Sequence, residues 1–180
     1  MLRRCPIRMF GTASHPPQRA LLIPASVDIV TAAQALHWFE LAPFYAEVER
    51  VLRPRCVLAV WTYGVVHVAG ESIDRLLQEF YWQSAQPYWP AERQLVESGY
   101  RSLSFPYVEL MPAAFNMQEH CSLQQLIGYT RSWSATARYA EQNGADPAAL
   151  LEQNLQPEWG APDSLLRISW PLSVRIGVKP

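Results

Sequence analysis

The amino-acid sequence predicts an α/β protein whose sheet is parallel in its first half and antiparallel at its end. Two apolar, β-branched runs, residues 27–33 and 56–62, flank a helical pattern at 43–52. Strand, helix and strand joined by short loops form a βαβ unit, which makes the strands parallel with a right-handed crossover. Residues 166–178 alternate apolar and polar positions strictly, the period of a long strand with one buried face. Helical patterns fill most of the chain between.

The elements follow in order. Residues 7–10 are a short apolar piece, followed by Gly11 and a loop containing His15, Pro16 and Pro17. The proline pair blocks helix and strand there. Val27 to Ala33 reads as a short buried strand. Gln34 to Phe39 is an irregular or single-turn segment. Pro43 opens a helix at its favoured first position, with Phe44, Val48, Val51 and Leu52 on the apolar face, and Pro54 ends it. Cys56 to Thr62 is a continuous apolar run, a strand buried on both faces.

A second amphipathic helix carries Ile73, Leu76, Leu77, Phe80 and Tyr81 as one stripe. A short third helix over 91–98 is stopped by Gly99. Residues 105–117 are extended but broken by Pro106 and Pro112, the mark of an edge strand. Helices are expected over 122–130 with Ser122 as cap, over 134–142, and over 147–155 with Asp146 as cap and Pro147 at the first position. In the final strand, Pro171 implies a bulge or an unpaired position. No helix precedes that strand directly, so an antiparallel pairing with the 105–117 region is expected.

Composition narrows the function. The 180 residues suit one domain, and 49% apolar against 17% charged residues suffices for a sizeable core. Fifteen Lys and Arg balance 16 Asp and Glu, so no electrostatic footprint for nucleic acid is present. No apolar run approaches the length of a membrane span. Cys5, Cys56 and Cys121 are too scattered for a disulfide framework or a zinc site, which points to a reducing, cytoplasmic compartment. His15, His67 and His120 show no metal spacing, and no metal site is expected.

The run from Ser26 to Phe39, reading S-V-D-I-V-T-A-A-Q-A-L-H-W-F, precedes E-V-E-R-V-L-R-P at 47–54 and V-L-A-V-W-T-Y at 57–63. Together they resemble S-adenosylmethionine-dependent methyltransferases of type 11, in the branch that includes trans-aconitate methyltransferase-like proteins. Tyr88-Trp89-Pro90, Gly128-Tyr129, Ser132-Trp133-Ser134 and Trp170-Pro171 resemble the same branch, so the likeness covers roughly residues 7 to 178. It implies a Rossmann-like sheet ending in an antiparallel pair, with residues 7–10 as the family's third strand, 27–31 its fourth and 56–62 its fifth. The resemblance implies a partial domain: a remaining core over 7–64, an inserted helical and lid region over 65–160 with one strand, and a last strand over 164–178.

The family holds its cofactor on a Gly-rich turn and clamps the ribose with an acidic residue. This sequence has no G-x-G-x-G, and Arg55-Cys56 stands where the family carries Gly-Gly after R-V-L-x-P. The chain therefore reads as a methyltransferase fold without its N-terminal cofactor-binding part.

The resemblance also implies site residues. His37, after the 27–33 strand, would orient or deprotonate the methyl acceptor; the alternative is a histidine held by backbone. Ala13, Ser14, Ala33 and Gln34 would form the remaining cofactor wall. Trp38, Tyr63 and Trp133 would line the acceptor pocket, with Trp82, Tyr88 and Trp89 in the lid; packing aromatics are the alternative. Arg131 and Arg138 would bind a carboxylate, or lie solvated at the surface. The expected function is methyl transfer from S-adenosylmethionine to a small molecule, a carboxylate by family analogy, with this chain inactive alone. The alternative is a non-catalytic partial fold acting as a partner, or with no function of its own. The partner expected is a small-molecule acceptor, with no nucleic acid and no membrane. An exposed edge on the 27–31 strand offers self-association.

Overall fold

A computed structural model describes residues 22–161 and 163–180. The chain is α/β, and it divides into two compact units. Among the described residues the first is built from 22–64, 94–115 and 172–180, and the second from 65–93 and 116–171. The expected third strand at 7–10 lies outside the described residues.

The first unit contains the βαβ unit. Strand β1 (Val27–Ala33) leads through a single 3-10 turn (Leu36–Trp38) into helix α1 (Leu41–Val51) and strand β2 (Leu52–Tyr63). β1 and β2 are parallel, with Ile29 opposite Val57 and Ala33 opposite Trp61. Phe44 and Val48 of α1 bury against Ala32, Leu36, Leu58 and Val60, the apolar contact that holds the crossover helix on its sheet.

Two boundaries differ from expectation. α1 starts at Leu41, so Pro43 takes the third helical position, whose N–H lacks an intrahelical acceptor in any case. Its end is set at Val51, and β2 begins at Leu52 without a loop. Pro54 lies inside β2, in an irregular stretch between the Val27–Leu52 and Ile29–Val57 pairs where no ladder N–H is required. Arg55 takes the left-handed conformation at φ +62° there, and Arg53 donates to Asp28 Oδ1 at 2.6 Å across it.

The last strand, β6 (Leu166–Val178), has the predicted bounds. Its residues 172–178 run antiparallel to β2, from Leu172 opposite Tyr63 to Val178 opposite Val57. The 105–117 region forms two short strands rather than one, β4 (Glu109–Leu110) and β5 (Phe115–Cys121), separated around Pro112; both pair with β6. β4 does so antiparallel, with Glu109 opposite Gly177. A Cβ on Gly177 would stand 2.7 Å from Phe105 Cε1 and 2.9 Å from Tyr107 Cβ, so only glycine admits the chain lying across it. This cover explains why the single-buried-face pattern fails over 172–178, where both faces are partly shielded.

In the second unit, β3 (His67–Val68) pairs antiparallel with Ile168 and Ser169 of β6. Ile168 and Trp170 are buried while Arg167 and Pro171 are exposed, the expected alternation. Pro171 falls between the pairings with β3 and β2 and takes part in neither. Helix α2 (Glu71–Glu79) continues into a wider π-helical turn at 80–85, then a 3-10 turn at 86–88. Helix α3 (Arg93–Glu97), which apart from Arg93 belongs to the first unit, is shorter than expected. Helix α4 (Leu123–Arg131) opens with the reciprocal Ser122–Gln125 capping pair. Helices α5 (Ser134–Asn143) and α6 (Pro147–Trp159) complete the unit, with Asp146 capping α6. α6 runs four residues beyond expectation, through Pro157. The prolyl ring is exposed there, while Leu155 and Trp159 on the buried face keep the helix in place. Among the described residues no helix is long and apolar enough to cross a membrane.

Candidate functional site

The carboxyl ends of β1 and β2 meet at Gln34. This residue follows β1 at φ +49°, a conformation uncommon for a side chain larger than glycine. Its N–H donates to the Trp61 carbonyl at 2.8 Å. Its side-chain Oε1 accepts from Thr62 Oγ1 at 2.6 Å and from the Tyr63 N–H at 2.9 Å. One amide group thus closes the ends of both strands, and Thr62 is fully buried beneath it.

The turn that follows is anchored by Leu36, which has no exposed surface. Its N–H to C=O bonds, Trp38 to Ala35 and Phe39 to Leu36, tighten the turn. With Leu36 in the core, Trp38 stands half exposed. Its ring centroid lies 4.7 Å from that of His37.

His37 Nδ1 and Tyr100 Oη are 2.7 Å apart. Tyr100 is fully buried and follows Gly99; both are left-handed, at φ +61° and +64°. The Tyr100 N–H donates to the Leu95 carbonyl at 2.8 Å. Arg175 Nη1 donates to the carbonyls of Tyr100 (2.7 Å) and Leu103 (2.8 Å). The Arg175 guanidinium also makes a two-pronged pair with Glu109, at 2.9 and 2.6 Å, and lies over the Phe105 ring. Hydrogen bonds from Arg175 hold the Glu109 carboxyl below its usual range, against the opposing effect of burial. Nearby, an open groove of about 500 Å³ is lined by Gly99, Arg101, Glu109, Ser173, Val174 and Arg175. None of the predicted site residues lines it.

The structure therefore places the Tyr63 backbone against Gln34 and His37 against Trp38, with Ala33 exposed at the end of β1. Ala13 and Ser14 lie outside the described residues. Trp133 belongs to the second unit, where its ring neighbours Phe80, Tyr81, Trp89 and Tyr129 in an aromatic cluster. Trp170 Nε1 donates to Tyr129 Oη in that cluster. Arg131 pairs with Asp146 and Glu152, and Arg138 donates to the Tyr88 carbonyl, so each already serves the fold of its own unit. Among the described residues no group of three or more His, Cys, Asp or Glu is arranged to hold a metal.

Sequence reasoning missed Tyr100, Thr62 and Arg175. Thr62 carried a local signal, a polar residue closing an apolar strand. Tyr100 carried none, being 63 positions from its histidine. Chemically, a histidine held through Nδ1 can present its other ring nitrogen to exchange a proton.

Residues 15–60 match a family profile described as a methyltransferase domain, of type 11. The chain is 26% identical over 159 residues to a provisionally named methyltransferase of Dictyostelium discoideum, covering 86% of this chain and 60% of that protein. Its fold superposes on the solved structure of a provisionally assigned type II methyltransferase from Anaeromyxobacter dehalogenans with a TM-score of 0.82 and 41% identity, over 87% of this chain and 66% of that one. The chain thus spans somewhat under two thirds of the length of the relatives it matches. In its family profile and in these relatives, the chain is similar to methyltransferases.

Proposed function

We propose that this chain carries the acceptor side of an S-adenosylmethionine-dependent methyltransferase acting on a small molecule, a carboxylate of the kind trans-aconitate-type enzymes take. The observation that carries the reading is His37, fixed by Tyr100 at the carboxyl end of β1 beside Trp38. Ligands of open α/β sheets bind beyond those strand ends. In this reading His37 orients the acceptor, whose carboxylate is already ionised and has no proton to give, while Trp38 and Tyr63 shape the pocket. The protein's part in such chemistry is mostly positioning.

The family implies S-adenosylmethionine, and Ala33 and Gln34 do not hold it by themselves. Ala33 has no hydrogen-bonding side chain, and the Gln34 amide oxygen is already taken by Thr62 and Tyr63. The sequence offers no G-x-G-x-G turn. The chain alone is therefore proposed to be inactive.

Saturation-transfer NMR of the chain with acetate, succinate, citrate and aconitate tests the acceptor reading. Contact with at least one carboxylate, lost in His37→Ala and Trp38→Ala, is expected. No contact with any of them, or contact unchanged in both variants, overturns it.

A further inference from the structure

We propose that Tyr100 is the positioning residue of His37: its hydroxyl oxygen accepts the hydrogen bond of Nδ1–H and so leaves Nε2 as the unprotonated nitrogen, and Arg175 holds Tyr100 in the backbone conformation that allows this. The inference deepens the reading of His37 given above and rests on it for its functional meaning.

A tyrosine kept only for packing has no need of its hydroxyl. Tyr100 is fully buried in the core with Leu36, Phe44 and Val96, and a buried phenol must find a partner. Its oxygen reaches His37 Nδ1 at 2.7 Å, with the rings 33° apart. The two imidazole nitrogens are not equivalent: the bond made by one sets the protonation of the other.

The backbone supports the same role. Tyr100 is left-handed at φ +61°, a strained conformation for a residue with a side chain, and such strain persists only where the surroundings impose it. Here Arg175 imposes it. One of its nitrogens grips the Tyr100 and Leu103 carbonyls, while the rest of the fork is fixed by Glu109 and the Phe105 face. The Arg175 side chain is only 12% exposed. Glu109, Arg175, Tyr100 and His37 therefore form a continuous chain of contacts within one unit.

The test is long-range ¹H–¹⁵N NMR of histidine-labelled full chain, without cofactor or acceptor, in mildly alkaline buffer. The wild type is expected to show a protonated Nδ1 and a pyridine-type Nε2 at His37. Tyr100→Phe is expected to shift His37 toward the opposite tautomer while the melting curve stays cooperative. Arg175→Lys is expected to give a mixed ratio. Should Tyr100→Phe fail to fold, 3-fluorotyrosine at position 100 keeps the shape and weakens the oxygen as an acceptor; a partial shift of the tautomer is expected. A wild type protonated on Nε2, or a tautomer indifferent to the change at position 100, overturns the proposal. The readout involves no methyl transfer, so its failure is separable from failure of the carboxylate-binding test.

Discussion

Thr62 Oγ1 donates to Gln34 Oε1 at 2.6 Å, tying the end of β2 to the residue that follows β1. The bond lies over a fully buried threonine. It fixes where the turn bearing His37 and Trp38 leaves the sheet.

Thr62→Val removes the donor while keeping the shape. The Gln34 oxygen keeps its bond from the Tyr63 N–H, so the loss is one hydrogen bond, about 1 kcal/mol. For a chain of this size a fall in Tm of about 2–4 °C is expected by thermal denaturation. The NMR shifts of His37 should move as well, because its turn starts there.

Gly177→Ala should cost more. The added methyl meets Phe105 and Tyr107 at 2.7 and 2.9 Å, an overpacking that costs about 1–3 kcal/mol. Urea unfolding at fixed pH measures it, and an unchanged midpoint would mean that the 105–108 segment yields freely.

These two residues mark how far the sequence could be read. The period-2 pattern of β6 placed both its ends, because side-chain alternation is a local property. The same pattern could not reveal that residues 105–108 cover Gly177, since that contact joins distant segments. Proline rules misplaced two boundaries, because at Pro43 and Pro54 the missing N–H costs nothing in the position adopted. The last helix runs past Pro157, where the burial of Trp159 outweighs the lost bond. The family resemblance pointed to His37 and Trp38; nothing in the sequence pointed to Tyr100, because neither periodicity nor spacing links it to His37.

Acid should loosen the first unit. Arg175 holds the Glu109 carboxyl below its usual range, and hydrogen bonds from Lys179 and Tyr107 lower Glu49 in the same way. A carboxyl with a lowered folded-state pKa contributes its stability above the unfolded value, about 4.3, and loses it as pH falls through the folded value. Urea midpoints should therefore drop below about pH 4.3. Glu109→Gln should lower the midpoint at neutral pH and flatten the acid decline. A decline as steep as in the wild type would assign the acid sensitivity elsewhere.

Among the described residues β1 pairs with β2 alone, and Ile29 is 48% exposed. An edge carrying an exposed β-branched residue invites pairing with another chain. Concentration-dependent self-association is expected in analytical ultracentrifugation, reduced in Ile29→Lys. A clean monomer at high concentration would contradict the expectation.

We propose that these residues supply the acceptor side of a methyltransferase and do not hold its cofactor by themselves. Isothermal titration calorimetry with S-adenosylhomocysteine tests it most directly. Each tenfold loss of affinity is about 1.4 kcal/mol. The sequence holds no G-x-G-x-G turn, and the backbone contacts such a turn makes account for several such losses. The account predicts no measurable heat, or a dissociation constant in the millimolar range. A constant in the low micromolar range would contradict it, and would show that the 180 residues hold the cofactor by other means.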